Sequence, residues 1–234
     1  MQSSVDYGKA FTFPQEDPDW IKKVAIAGAV TLIPVAGGFL LWGYMLEIVR
    51  RVIAGEAPVL PEWSDFGGLL KKGLYYFVVG FVYGLPLILL LACIGLPYLG
   101  VAFAGNDEDL AGILATISTV VSACFGCLAL IYALVIAVVM PAAIGKLAVS
   151  GEIAPALRFG EVFALVRAKP AVYVIVALVA ALAVSILTSV GSIACGIGAI
   201  FGAAYGAIAA GHLYGQAYRT ASAETSGAAP APSM

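Results

Sequence analysis

Charge is confined to a few short stretches of this chain. Between them lie long runs without a single Lys, Arg, Asp or Glu: Val24 to Leu46, Leu74 to Ala104, Ala111 to Gly145 and Ala171 to Ala210. A helix needs roughly 20 apolar residues to cross about 30 Å of hydrocarbon, so the last run must fold back on itself. A turn is expected near Ser189 to Ser192, giving spans over 171–189 and 193–214. The second and third runs each make one crossing, joined at Asn106 to Leu110. The pattern predicts an all-α, polytopic helical membrane protein with two transmembrane hairpins, 73–145 and 171–216.

The first run is different. Lys22 and Lys23 precede it and Arg50 and Arg51 follow it, so the positive-inside rule pulls both ends to one side. Pro34-Val35-Ala36-Gly37-Gly38 stands at its middle, where proline and paired glycine break a helix. Each half of about 12 residues reaches only about 18 Å. Residues 21–49 therefore read as a re-entrant or bent helical hairpin. The alternative is one kinked crossing with an external N-terminus, in which neighbouring helices satisfy the backbone groups freed at the break.

The stretches before the runs repeat. Asp65 to Lys71 (DFGGLLK) aligns with Glu161 to Arg167 (EVFALVR) at an offset that also pairs Gly55-Glu56 with Gly151-Glu152, Trp63 with Phe159 and Arg50 with Lys146. A second constant offset pairs Tyr7-Gly8 with Phe159-Gly160, Phe11 with Phe163 and Pro18 with Pro170. Repetition implies one supersecondary unit used several times, here an interfacial helix followed by a hydrophobic segment. In the later copy Phe159, Val162, Phe163 and Val166 fall at helical spacing while Arg158, Glu161 and Lys169 lie off that stripe; in the earlier copy Trp63, Phe66 and Leu70 take the same places. Such a helix lies flat among headgroups with its cations on the polar side, unless it folds against the bundle as an ordinary loop. The layout is one integral membrane domain over 1–219, with interfacial segments 5–20, 50–72 and 146–170, and a disordered, low-complexity tail over 220–234.

Composition agrees: 62% of the residues are hydrophobic and 11% charged, outside the range of soluble domains. The net charge of -2 decides nothing; its placement does. Segment 49–72 carries Arg50, Arg51, Lys71 and Lys72, segment 146–170 carries Lys146, Arg158, Arg167 and Lys169, and the link between the two middle runs holds only Asp107, Glu108 and Asp109. The basic segments are expected in the cytoplasm, with the C-terminus beside them and the protein in the cell (inner) membrane. The N-terminus lacks the pattern of a cleavable signal peptide. Cations spread around membrane junctions suit anionic lipid headgroups and not nucleic acid.

Two rows of small residues mark the last span: Gly198, Gly202, Gly206 and Ala210, and a second row ending in Gly211 and Gly215. Rows like these let helix backbones approach closely in lipid. They serve either packing against the preceding span or docking of a second copy or another membrane protein. Glu47 stands one turn before Arg51 in the order that favours an ion pair; it either holds the junction with Arg50 and Arg51 or lines a substrate path. His212, the one histidine, stands one turn before Gln216 and suits hydrogen bonding within the bundle.

Catalytic chemistry is sparse. Cys124-Phe125-Gly126-Cys127 has redox or metal-ligand spacing but lacks a second cysteine pair or a nearby histidine. Cys93, Cys124, Cys127 and Cys195 read as small apolar residues. Neither a G-x-S-x-G nucleophile turn nor a phosphate-cradling glycine loop occurs, so no enzyme, cofactor or metal is expected.

Residues 18–83, with PDWIKK, LIPVAGG, GYMLEIVRRVIAGE and LPEWSDFGGLLKKGL, resemble the bacterial and archaeal membrane-protein family called domain of unknown function 4013. RFGEVFALVRAKP and GHLYGQAYR fit the same pattern, so the resemblance covers most of 5–219. It implies a multi-span helical protein with these recurring junctions and carries no activity. The functional expectation is a scaffold or accessory subunit that contacts lipid and membrane partners. The alternative is a small-molecule transporter, channel or lipid-binding protein with a cavity between the repeats.

Overall fold

The computed structural model describes residues 5–104, 107–193 and 196–225, and all regular structure among them is helical. The helices are α1 (Lys9–Thr12), α2 (Trp20–Val30), α3 (Ala36–Ala54), α4 (Phe66–Phe103), α5 (Glu108–Ser150), α6 (Ile153–Ala156), α7 (Phe159–Ala168), α8 (Pro170–Ser192) and α9 (Ile197–Thr225), with a 3-10 turn at Phe13–Glu16. Four of them, α4, α5, α8 and α9, are long and apolar enough to cross a membrane.

Local chemistry explains the boundaries. The α2 helix tightens at its end, where Thr31, Leu32 and Ile33 bond back three residues and the Thr31 hydroxyl donates to Gly28 O at 2.6 Å. Pro34 follows without an N–H to continue the ladder. Val35 then takes φ 64 and ψ −60 while the Ala36 N–H donates to Pro34 O at 2.7 Å, a γ-turn of the rare positive-φ form. The chain reverses there and α3 begins. Gly37 sits where a Cβ would strike Val30 O, so only glycine lets α3 start this close to the end of α2. At the far end, Gly55 caps α3 with φ 70, and the Glu56 N–H reaches back to Arg51 O, a Schellman closure. Asp65 opens α4 by accepting the Gly68 N–H at 2.8 Å. The helix then continues through Pro86 and Pro97, as α5 does through Pro141.

Three sequence boundaries move. The turn expected near Ser189 to Ser192 does not fall there: α8 stays helical to Ser192, with Gly191 against Gly198 O, and Gly196, at φ 79, stands immediately before α9. Residues 220–225 are helical, with Ala221 fully buried and Glu224 paired with Lys169; 226–234 lie outside the described residues. Segment 50–72, expected to be interfacial, is not a separate unit. It is the last turn of α3, the loop 55–65 and the first turns of α4, since Gly55, Pro58 and Pro61 interrupt it.

The chain forms two compact units, 1–79 with 138–234 and 80–137. In the first, α9 is the hub, packed by α8, α3, α2, α7 and α1. Its two glycine rows meet different neighbours. Gly202 lies against Leu187 O and Gly206 against Val184, seating α8 antiparallel; Gly211 lies against Met45 and Gly215 against Val52, seating α3. In lipid such contacts, not the hydrophobic effect, drive helix association. The α3 helix is fixed to α4 in the same manner, with Gly43 against Leu69 O and Gly73 against Phe39 O.

The second unit is an antiparallel pair made of the apolar parts of α4 and α5. The Tyr132 hydroxyl donates to Tyr83 O at 2.8 Å, and Thr116, Ser118 and Thr119 return their hydroxyls to carbonyls one turn back. Its large apolar side chains, among them Leu89, Leu96, Leu130 and Leu134, face outward.

Candidate membrane-junction site

The last turns of α3 place Glu47, Arg50 and Arg51 on neighbouring positions of one face, and the first turns of α4 bring Lys72 to the same carboxylate. Glu47 is 7% exposed. Its Oε1 accepts from Arg50 Nη2 at 2.7 Å and Arg51 Nε at 3.2 Å, and its Oε2 from Lys72 Nζ at 2.7 Å. Arg50 also forks onto Glu56 at 2.7 and 2.8 Å; that guanidinium holds the exposed Glu56 carboxyl below its ordinary range. Arg51 turns away to donate to Pro58 O at 2.9 Å, tying down the loop that leads to α4. One buried anion thus gathers three cations from two helices, and its loss strands them.

Beside this cluster lies a cavity of about 210 Å³. Glu47, Arg50, Lys71 and Lys72 supply the charged part of its lining, and Leu46, Tyr75, Leu147 and Ala148 the apolar part. Lys71 Nζ stands 5.6 Å from the centre of the Tyr75 ring.

A second cluster was not legible in the sequence. Lys23 Nζ, 4% exposed, bonds Asp17 Oδ2 at 2.7 Å and Glu62 Oε1 at 2.5 Å. Burial by itself pushes the Asp17 carboxyl up, but the Lys23 ammonium and the Asp19 N–H outweigh it and bring the net shift below the ordinary value. Trp63 locks this cluster: its Nε1 donates to Lys23 O at 3.0 Å and its ring stacks on Tyr44 at 4.3 Å. Trp63 is consequently buried in the core and does not lie at a headgroup surface. Phe66 and Leu70 do stay exposed, on α4.

The α7 stripe is split as well. Val162 is fully buried and Leu165 nearly so, whereas Phe159 and Phe163 are exposed. Glu161 joins Lys146 and Arg158, which together hold its carboxyl below the usual range. The earliest copy has no comparable helix: Phe13 is buried and stacks on His212 at 4.3 Å.

His212 and Gln216 meet, with Gln216 Nε2 2.8 Å from His212 Nδ1. Gln216 also accepts the Asp6 N–H at 2.7 Å and donates to Asp6 O at 3.0 Å. The amide orientation that satisfies Asp6 presents N–H to the ring, so Nδ1 accepts and the imidazole proton sits on Nε2. The pair fastens the N-terminal segment to α9. Cys124 and Cys127 are exposed, Cys195 lies outside the described residues, and among the described residues no group of three or more His, Cys, Asp or Glu could hold a metal.

The DUF4013 profile, described as a protein of unknown function, matches residues 26–197, from within α2 to the first residue of α9. The chain belongs to this family. The match is narrower than the resemblance over 5–219 and omits Lys23, His212 and Gln216, while including Glu47, the cavity and α7. Neither a curated protein nor a solved structure matches the chain.

Proposed function

We propose that this chain is a non-enzymatic scaffold or accessory subunit of the cell membrane, with its basic segments and C-terminus in the cytoplasm, and that it works by holding anionic lipid headgroups and membrane partners. The observation that carries the reading is the gathering of cations at the α3–α4 junction and around α7, next to exposed Phe159 and Phe163. A basic rim beside apolar anchors is the arrangement an anionic membrane surface attracts. Partner docking through the small-residue face of α9 receives no support, because Gly202, Gly206, Gly211 and Gly215 are already occupied within the chain. The 11-residue length of α2 and the exposure of Leu32, Ile33 and Val35 around its turn into α3 favour the re-entrant reading of 21–49: an apolar tip with charges at both feet.

A second reading, a lipid-binding or transport protein, is favoured by the cavity beside Glu47. Two experiments test the pair. Cysteine-free protein with single cysteines at Ser64 or Asp107 is expected to react with an impermeant reagent in intact cells only at 107, and labelling at 64 overturns the orientation. Full-length protein in proteoliposomes of mixed composition is expected to enrich anionic lipid around itself without passing solutes; a flux that Glu47→Gln changes would replace the scaffold with the transporter.

A further inference from the structure

The cavity at the α3–α4 junction is lined by both cationic and apolar side chains, and its cations are unequally engaged. Arg50 is spent on two carboxylates, Glu47 and Glu56. Lys72 gives one of its three ammonium protons to Glu47. Lys71 is exposed, rests against the Tyr75 ring, and has no carboxylate partner among the described residues. Even counting Glu56, which Arg50 also holds, three lining cations stand against two carboxylates, so positive charge is in surplus and the two lysines keep donors to spend. Lysine meets phosphate as a mobile point charge, so this lining suits a phosphate.

The apolar part of the lining decides which phosphate. Leu46, Tyr75, Leu147 and Ala148 offer hydrocarbon and an aromatic face. A free inorganic phosphate would lose hydration against that surface with no compensation, whereas a phospholipid presents its glycerol and first acyl carbons to it. A volume of about 210 Å³ equals about seven waters, enough for a phosphate and part of a glycerol but not for acyl tails. The ligand must therefore be anchored by its head and leave its tails outside.

We propose that this cavity is a binding site for one anionic phospholipid, its phosphate held by Lys71 and Lys72 and its glycerol region seated against Tyr75 and Leu147. Glu47 is the positioning residue: by accepting from Arg50 and Lys72 it aligns both in the lining and keeps their mutual repulsion from splaying the junction. The proposal rests on the lipid-contact reading above and gives it one address in the fold.

The test uses full-length protein in a neutral detergent, with native mass spectrometry reading retention of short-chain phosphatidylglycerol, short-chain phosphatidylcholine and inorganic phosphate. Phosphatidylglycerol is expected to be retained at one equivalent and phosphatidylcholine not. Lys71→Gln should weaken retention about fivefold, and Lys71→Gln with Lys72→Gln about twenty-five-fold, at about fivefold per cation. A control that removes the same charge elsewhere, Lys9→Gln with Lys22→Gln, both exposed and outside the cavity and α7, should change it less than twofold. Tyr75→Ala should weaken lipid retention while leaving any phosphate competition unchanged. If the lysine pair and the control weaken retention equally, the site is wrong and diffuse lipid contact stands. If the wild type does not prefer phosphatidylglycerol to phosphatidylcholine, the lipid-contact reading fails with it. Displacement by inorganic phosphate at equal concentration would overturn the lipid in favour of the free anion.

Discussion

Helix α9 and the pair formed by α4 and α5 treat their apolar residues in opposite ways. In α9, the least apolar of the four long helices, 44% of the most apolar stretch is buried, against 11% in α4 and in α5. Hydrophobicity alone would order them the other way. The difference follows from what surrounds the chain: in hydrocarbon an exposed leucine loses nothing, so burial is set by how closely backbones can approach. Small residues give α9 that approach on two sides, while the large leucines and isoleucines of α4 and α5 hold neighbours off. Polar groups follow the same division. The α9-centred unit holds the buried clusters around Glu47, Lys23 and His212, whereas in the pair Thr116, Ser118 and Thr119 return their hydroxyls one turn back along α5 and Tyr132 reaches a carbonyl of α4.

The sharpest way to break this contrast is to enlarge a glycine on each side of it. Gly202→Leu places a side chain into Leu187 O, where backbone must move, and is expected to cost more than about 3 kcal/mol. It should abolish a cooperative thermal transition in detergent or lower its midpoint strongly. Gly126→Leu, in the second unit, meets nothing within 4 Å and should leave the midpoint unchanged. Equal effects at both positions would end the distinction.

Glu47→Ala comes next. Removing a carboxylate that is 7% exposed leaves Arg50, Arg51 and Lys72 facing one another. Partial exposure of those cations softens the penalty to about 2 kcal/mol, read by denaturant or thermal unfolding. Ser122→Ala, in the helix pair, should stay within about 0.5 kcal/mol.

Acid is expected to act first on the α9-centred unit. The Asp17 carboxyl lies below its unfolded value, so its contribution is fully present above that value, near 3.9, and is lost as pH falls through the lowered folded value. Thermal midpoints measured from pH 6 downward should decline below about pH 4, and Asp17→Asn should flatten that decline while lowering the plateau by about 1–3 kcal/mol. An unchanged slope in Asp17→Asn would show that Lys23 does not stabilise the carboxylate.

The smallest effect separates the two faces of α7. Val162→Ala, at a fully buried position, should cost about 1–2 kcal/mol. Phe163→Ser, at a position 38% exposed, should cost less than about 0.5 kcal/mol yet reduce the enrichment of anionic lipid around the protein in mixed bilayers. Should Phe163→Ser prove the more destabilising, α7 packs by the face assigned here to lipid.

Much of the molecule follows from residue order. Charge-free runs of sufficient length dictate apolar helices, because an unpaired backbone is intolerable in hydrocarbon. Pro34 before Gly37-Gly38 dictates a break, and glycine in the last run dictates close approach. The Glu47–Arg51 and His212–Gln216 spacings put each pair on one helix face. Four-residue periodicity names the surface of a helix but not its neighbour. Only the tertiary structure assigned Gly202 and Gly206 to α8 and Gly211 and Gly215 to α3. It alone brought Lys72 to Glu47 and joined Asp17, Lys23 and Glu62, since these partners lie on different segments and no spacing rule links them. It also buried Trp63, whose place in an amphipathic pattern matched that of exposed Phe159. Amphipathicity says that one face avoids water, and lipid and protein satisfy that demand equally; which of them covers a given residue is decided by the neighbours that folding supplies.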